Sequence, residues 1–195
     1  DSAGRTQLHH KGKLVIGVEN TPTVIFDLMQ FLVIDLGGVV GQIGMGQHGT
    51  AFAHAGMRMG PAICYEGLYG DFYGDFVRRG AQFMAIISND GWWGDTPGYK
   101  HLFTISRLRA IEHRRAIARS ANTGMSGFIS ARGDIGETLG WKKRGVISAA
   151  VPLNSELTFY TRYGDYLGRI SEYLTLLCVL YYIAYRVKRK NYLVK

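Results

Sequence analysis

Apolar and polar positions along the chain alternate between two periods. Gly12–Glu19 (GKLVIGVE) is a short apolar run that predicts a strand, and Thr23–Gly38 predicts a helix or loop-helix that ends at Gly37 and Gly38. Gly49–Glu66 predicts two strands joined near Ala55 and Gly56. Leu68, Phe72, Phe76 and Val77 fall at helical spacing, and Gly80 stops that helix. Ala81–Ser88 is a continuous apolar run, which predicts a buried strand, and the turn-rich Asn89–Lys100 follows it. His101–Ala118 predicts a helix with an apolar stripe of Leu102, Ile105, Leu108 and Ile111. Residues 119–130 and 133–141 predict a hairpin turning around Ala131–Asp134, and Gly145–Leu153 predicts one more strand. Strands alternate with helices early and pair as hairpins late, the pattern of a layered α/β domain with a mixed sheet.

The last apolar segment differs. Tyr173–Tyr185 (YLTLLCVLYYIAY) has no charge, Gly or Pro, and its apolar residues occupy every face of a helix. A bilayer span takes about 20 residues. Ile170 and Val187 extend the segment toward that length if Glu172 and Arg186 reach the headgroups. Tyrosines at both ends suit interfacial positions, and the basic run that follows suits the cytoplasmic side. A transmembrane helix over 169–187 is therefore expected, with 188–195 as a basic cytoplasmic tail and 1–168 outside the cytoplasm.

Charge fits that reading. The net charge is +8, but five of the 23 basic residues (Arg186, Lys188, Arg189, Lys190 and Lys195) lie in the last ten positions, with no acid among them. The rest of the chain sets 18 basic residues against all 15 acids, so the excess is mainly a tail effect and gives no reason to invoke nucleic acid. A chain of 195 residues, 47% hydrophobic and 19% charged, is ordered and long enough for one sizeable core. No signal peptide is evident, and the start at Asp1 leads us to expect a fragment or a processed chain. His9 and His10 are adjacent and the other four histidines are scattered, so neither a metal nor another cofactor is expected.

Candidate chemistry centres on Cys64, one of two cysteines. Two cysteines far apart make no disulfide framework, and Cys178 within the apolar helix is expected to be inert. Cys64 falls where an apolar strand gives way to a helix, at the positive end that stabilises a thiolate and at the sheet edge where substrate can approach. A thiolate attacking a carbonyl needs a base, donors for the oxyanion and an acid for the leaving group. The backbone N–H of Tyr65 is a candidate donor. No histidine stands in a recognisable motif with Cys64, which leaves Glu66, Glu19, Lys11 and Lys13. Simpler roles remain open: a solvated basic edge for Lys11 and Lys13, a helix cap for Glu66, and core packing for Trp92 and Trp93. Asn122 and Thr123 either line the site or serve a turn. The arginines at 107, 109, 114, 115 and 119 either bind phosphate headgroups or form a solvated face paired to acids such as Glu112.

Three segments, His9–Glu19, Ile63–Glu66 and Asn89–Ile129 (which carries NDGWWGD and ARSANTG), resemble in order and spacing the nitrilase-superfamily (carbon-nitrogen hydrolase) domain of the apolipoprotein N-acyltransferase family. The resemblance covers about His9 to Arg169, the C-terminal part of such an enzyme, and the final helix resembles that family's last membrane span. It implies an αββα sandwich, with the N-terminal part missing, and a Glu–Lys–Cys triad. Cys64 matches the nucleophile, Lys11 the lysine of a Lys-x-x-Leu-Val-Pro-Phe-Gly-Glu motif, and Glu19 the glutamate that closes it. Tyr65 and Glu66 match the two residues after the nucleophile. Asn89, Asp90, Trp92 and Trp93 would form a substrate-binding loop beside the acyl-chain entrance.

The implied reaction moves a fatty acyl chain from a phospholipid to the N-terminal amine of a diacylglyceryl-apolipoprotein, at the bacterial inner membrane on the periplasmic side. Two departures stand out: Ile16-Gly17-Val18 replaces Pro-Phe-Gly, and the general-base glutamate would lie upstream of this chain. The piece alone is therefore expected to be inactive. Rival functions are a soluble nitrilase-type amidase and a non-catalytic membrane-tethered binding module.

Overall fold

The computed structural model describes residues 6–15, 19 and 44–193. Among the described residues six strands form one mixed sheet in the order of the chain: β1 (Phe52–His54), β2 (Met57–Ile63), β3 (Phe83–Ser88), β4 (Ile117–Ala121), β5 (Ser126–Ile129) and β6 (Ile135–Leu139). β2, β3 and β4 run parallel, and the remaining neighbours are antiparallel. Helices α1 (Gly70–Arg78) and α2 (Pro97–His113) make the two crossovers, as parallel neighbours require. A short α3 (Phe159–Tyr163) and a long α4 (Tyr166–Leu193) close the chain.

Side-chain alternation sets the layers. Met84, Ile86 and Ser88 of β3 are buried, whereas Ile87 between them is 59% exposed. Successive strand residues face opposite sides, so α1 and α2 cover one face only. There Phe72, Phe76, Val77, Phe103 and Ala110 pack with Ala62, Met84, Ile86, Ile117 and Ile129 in one core. Two of the four layers of the expected sandwich, one sheet and one helix layer, are thus described.

Several expectations shift. Residues 12–15 form no strand, because two of their amides are taken by carboxylates: Gly12 N–H by Glu66 at 2.6 Å and Val15 N–H by Glu19 at 2.8 Å. Residues 16–18 and the expected helix 23–38 lie outside the described residues. The expected helix 101–118 starts earlier, behind the Thr96 N-cap and Pro97, and stops at His113 because Arg114 turns left-handed at φ +49°. Its buried face holds Leu102, Phe103, Ser106, Arg109, Ala110 and His113, while Leu108 and Ile111 of the expected stripe are exposed. Polar residues share that face because each finds a partner, such as the bond from Ser106 Oγ to the Leu102 carbonyl at 3.0 Å. The expected arm 119–130 splits into β4 and β5, with Ser126 Oγ accepting the Ala121 N–H at 3.0 Å across the turn. The hairpin around Ala131–Asp134 is formed by β5 and β6. Residues 143–158 carry no strand: Val146 is 95% exposed, and Pro152 has no N–H to give a ladder.

Arg115 and Arg119 are not a solvated helix face. Arg115 is buried and donates to the carbonyls of Ala81, His113, Arg114 and Glu156. Arg119, on β4, holds Asp90 through Nη2 at 2.8 and 3.1 Å, with side chains 2% and 0% exposed. Ser88 Oγ donates to the same carboxylate, and a Cβ on Gly124 would collide with it. This pair locks the turn after β3 onto β4.

The α4 helix is the other extreme. From Arg169 to Arg186 every residue is exposed, and Tyr166–Arg186 is long and apolar enough to cross a membrane by length and composition. Its start is tied to the domain: Asp71 Oδ1 accepts the Asp165 N–H at 3.1 Å, and Asp165 Oδ1 accepts the Gly168 N–H at 2.9 Å.

Two stability outcomes follow. Removing one partner of a buried ion pair strands the other charge and costs about 3–5 kcal/mol. Arg119→Met is expected to lose that much in chemical denaturation, and Asp90→Asn a comparable amount. His113 is buried; its Nε2–H donates to the Gly70 carbonyl at 3.1 Å, which leaves Nδ1 to accept the Thr161 hydroxyl at 2.8 Å. Burial first, then the Arg109 charge, lowers its pKa from 6.5 to about 3. The folded state therefore keeps it neutral where the unfolded chain takes up a proton. Stability from this group is full above pH 6.5 and falls as pH drops toward about 3, by up to about 1.4 kcal/mol per pH unit. Acid melting curves of His113→Gln should show a shallower dependence over that range than those of the parent.

Candidate active site

Cys64 opens the 3-10 turn Cys64–Leu68 that follows β2. Its φ is +49°, a region a non-glycine residue occupies only when its surroundings impose it. The imposing group is Glu66, which is fully buried. Its Oε2 accepts the Ile63 N–H at 2.6 Å and its Oε1 the Gly12 N–H at 2.6 Å. The next α-helix starts only at Gly70. The expected dipole of a following α-helix is thus replaced at Cys64 by the short 3-10 turn.

Above this turn lies a cavity of about 510 Å³. Cys64, Tyr65, Lys11 and Glu19 line it, as do Asn89, Trp92 and Trp93 from the 89–93 turn. Lys11 Nζ donates to both Glu19 oxygens at 2.6 Å, and the two side chains are 15% and 29% exposed. Ammonium, carboxylate and thiol thus share one cavity whose remaining wall includes Val15, Ile63, Ile87 and Leu102. The sequence pattern had marked none of these four as cavity-lining. Ile87 carries a usable signal, since it faces away from the helix layer in the strand alternation.

Of the expected site residues, two are set apart from the cavity. Glu66 points beneath it. Asp90 is spent on Arg119, so it shapes the loop without facing the cavity. Asn89 caps the 3-10 turn Asp90–Trp93, accepting the Gly91 N–H at 3.2 Å, and its neighbour Asn122 also lines the cavity. Trp92 and Trp93 are 59% and 46% exposed, which rules out core packing. No histidine lines this cavity. Lys13 sits over the rings of Tyr69 and Phe72 at 5.2 and 5.3 Å, apart from the cavity lining.

The carbon-nitrogen hydrolase family model matches residues 3–157. An apolipoprotein N-acyltransferase of Chlorobaculum tepidum is 37% identical over 169 residues, covering 84% of this chain and 32% of its own length. Its counterpart in Rhizobium meliloti is 42% identical over 97 residues, covering 50% of this chain and 18% of its own. This chain therefore spans a third or less of either relative. A solved amidase from Nesterenkonia sp. aligns over 67% of this chain and 49% of its own, with a TM-score of 0.44 and 14% identity. A family match over most of the residues, on a mixed sheet with a cysteine turn at the end of β2, makes the assignment: the chain belongs to the carbon-nitrogen hydrolase family.

Proposed function

We propose that this chain is the catalytic C-terminal part of an N-acyltransferase of lipoprotein maturation. The observation that carries the proposal is the meeting of Cys64, Lys11 and Glu19 in a largely apolar cavity with two exposed tryptophans. A hydrolase of small polar amides has no use for such a lining, whereas a fatty acyl chain does. The helix whose residues from Arg169 to Arg186 are all exposed, with no packing partner among the described residues, supports the same reading. It would span the inner membrane over 169–187, with the domain outside the cytoplasm and the basic tail inside.

In the first half-reaction the Cys64 thiolate adds to an ester carbonyl of a phospholipid. The oxyanion is met by the Lys11 ammonium and the Tyr65 N–H. The C–O bond breaks, and the lysophospholipid alkoxide leaves with a proton. In the second half-reaction the amine of a diacylglyceryl-cysteine adds to the thioester. The C–S bond breaks, an amide forms, the amine gives up a proton and the thiolate is restored. A thioester is reactive toward amines and persists where water is kept out. The proton acceptor in the first step is assigned to a glutamate upstream of this chain.

The test uses the full-length product of the gene that encodes this chain, in phospholipid vesicles. Mass spectrometry is expected to find a fatty acyl group on Cys64, lost on hydroxylamine treatment and absent from Cys64→Ala. Lys11→Met should slow acylation about 10²–10³-fold, as loss of an oxyanion donor does. An unmodified parent protein in active vesicles would leave the binding-module reading. An adduct released to water as fast without an amine acceptor as with one would leave the amidase.

A further inference from the structure

Glu66 lines no part of the cavity, yet it joins the two halves of the site. One oxygen holds the amide just before Cys64 and the other the amide just after Lys11. The backbone that carries Lys11 is thus tied to the backbone that carries Cys64 through one carboxylate. A carboxylate turns about its last torsion unless its partners fix the plane. His9 is the side chain that joins the two amides in doing so: its Nε2 lies 3.1 Å from both Glu66 oxygens. An ionised carboxylate only accepts, so Nε2 carries the hydrogen.

The His9 side chain is itself 2% exposed. Its ring packs edge-on against Phe76 at 5.0 Å, and its Nδ1 is 3.4 Å from the Thr50 hydroxyl. Among the described residues no other side chain reaches Glu66 within hydrogen-bonding or ion-pair distance. The backbone around His9 is equally confined: Gly46 N–H donates to the Lys11 carbonyl at 3.0 Å, and a Cβ on Gly12 would overlap the Phe72 ring.

We infer that His9 is a positioning residue for acyl transfer: by orienting Glu66 it sets Lys11 against Cys64 without touching substrate. The inference rests on the acyl-transfer reading above and adds to it a residue outside the cavity. It separates two properties that a packing role would join, since the ring holds the core and the N–H holds the site. His9→Phe keeps the ring and removes the donor, and His9→Gln keeps a donor and removes the ring.

The experiment follows single-turnover acylation of Cys64 in the full-length gene product, in phospholipid vesicles, for the parent and both variants. His9→Phe is expected to slow acylation about 10²-fold, the scale of a misplacement of about 1 Å. The half-saturating phospholipid concentration should hold, because ground-state binding is unchanged. Both variants should melt somewhat earlier, His9→Phe because a buried acceptor loses a partner and His9→Gln because the ring is lost. His9→Gln should recover most of the rate. A His9→Phe rate equal to the parent's overturns the inference. So does a His9→Gln rate as low as that of His9→Phe, since a restored donor then fails to restore the rate. If the parent takes no acyl group, the acyl-transfer reading fails by itself. Iodoacetamide alkylation of Cys64 then decides the matter: slower alkylation in His9→Phe than in the parent and in His9→Gln sustains the positioning role, and equal rates end it.

Discussion

One buried carboxylate organises the site. Glu66 has no access to water, and its two oxygens take amide hydrogens from segments far apart in sequence. Burying a carboxylate is costly unless its lone pairs are satisfied, and here they are met by two amides and an imidazole. The contact closes the turn that begins at Cys64 and ties the segment after Lys11 to the end of β2. Without it the sequence around Gly12 would have no reason to leave the strand geometry that its apolar run favours.

The same logic explains what was legible in the sequence. The parallel core strands and their crossover helices follow apolar periodicity, and β3 and α1 lie within a few residues of where that pattern puts them. Cys64 and its neighbours were marked by a strand ending in a nucleophile and by resemblance to a family. The misreadings arise where side chains compete with the backbone for hydrogen bonds. The stretch 12–15 reads as strand because Leu14 and Val15 are apolar, but nothing in their pattern announces that carboxylates from residues 19 and 66 will take its amides. Arg119 reads as one more charge in a basic run, since its partner Asp90 is 29 residues away. His9 beside His10 looked uninformative because its partner lies 57 residues on.

Burial and function divide the charged residues. Asp90, Arg115, Arg119 and Glu66 are inside and hydrogen-bonded, and Asp90 and Glu66 brace turns that line the cavity. Lys11 and Glu19 remain partly open to the cavity, where a substrate can still reach them. A site built this way puts rigidity beneath the cavity and leaves apolar surface above it, the lining on which the proposed acyl transfer would rely.

The joint between α3 and α4 is only Gly164 and Asp165. Asp71, at the first turn of α1, grips the second of these through its backbone, and the Tyr166 N–H closes on the Gly164 carbonyl at 2.8 Å. A connection so short, braced at both residues, ties the start of α4 to α1. With α4 anchored in a bilayer, as proposed, the sheet and its helices would stand at a set height and azimuth above the lipid surface, and a tilt of that one rod would carry over to the mouth of the cavity.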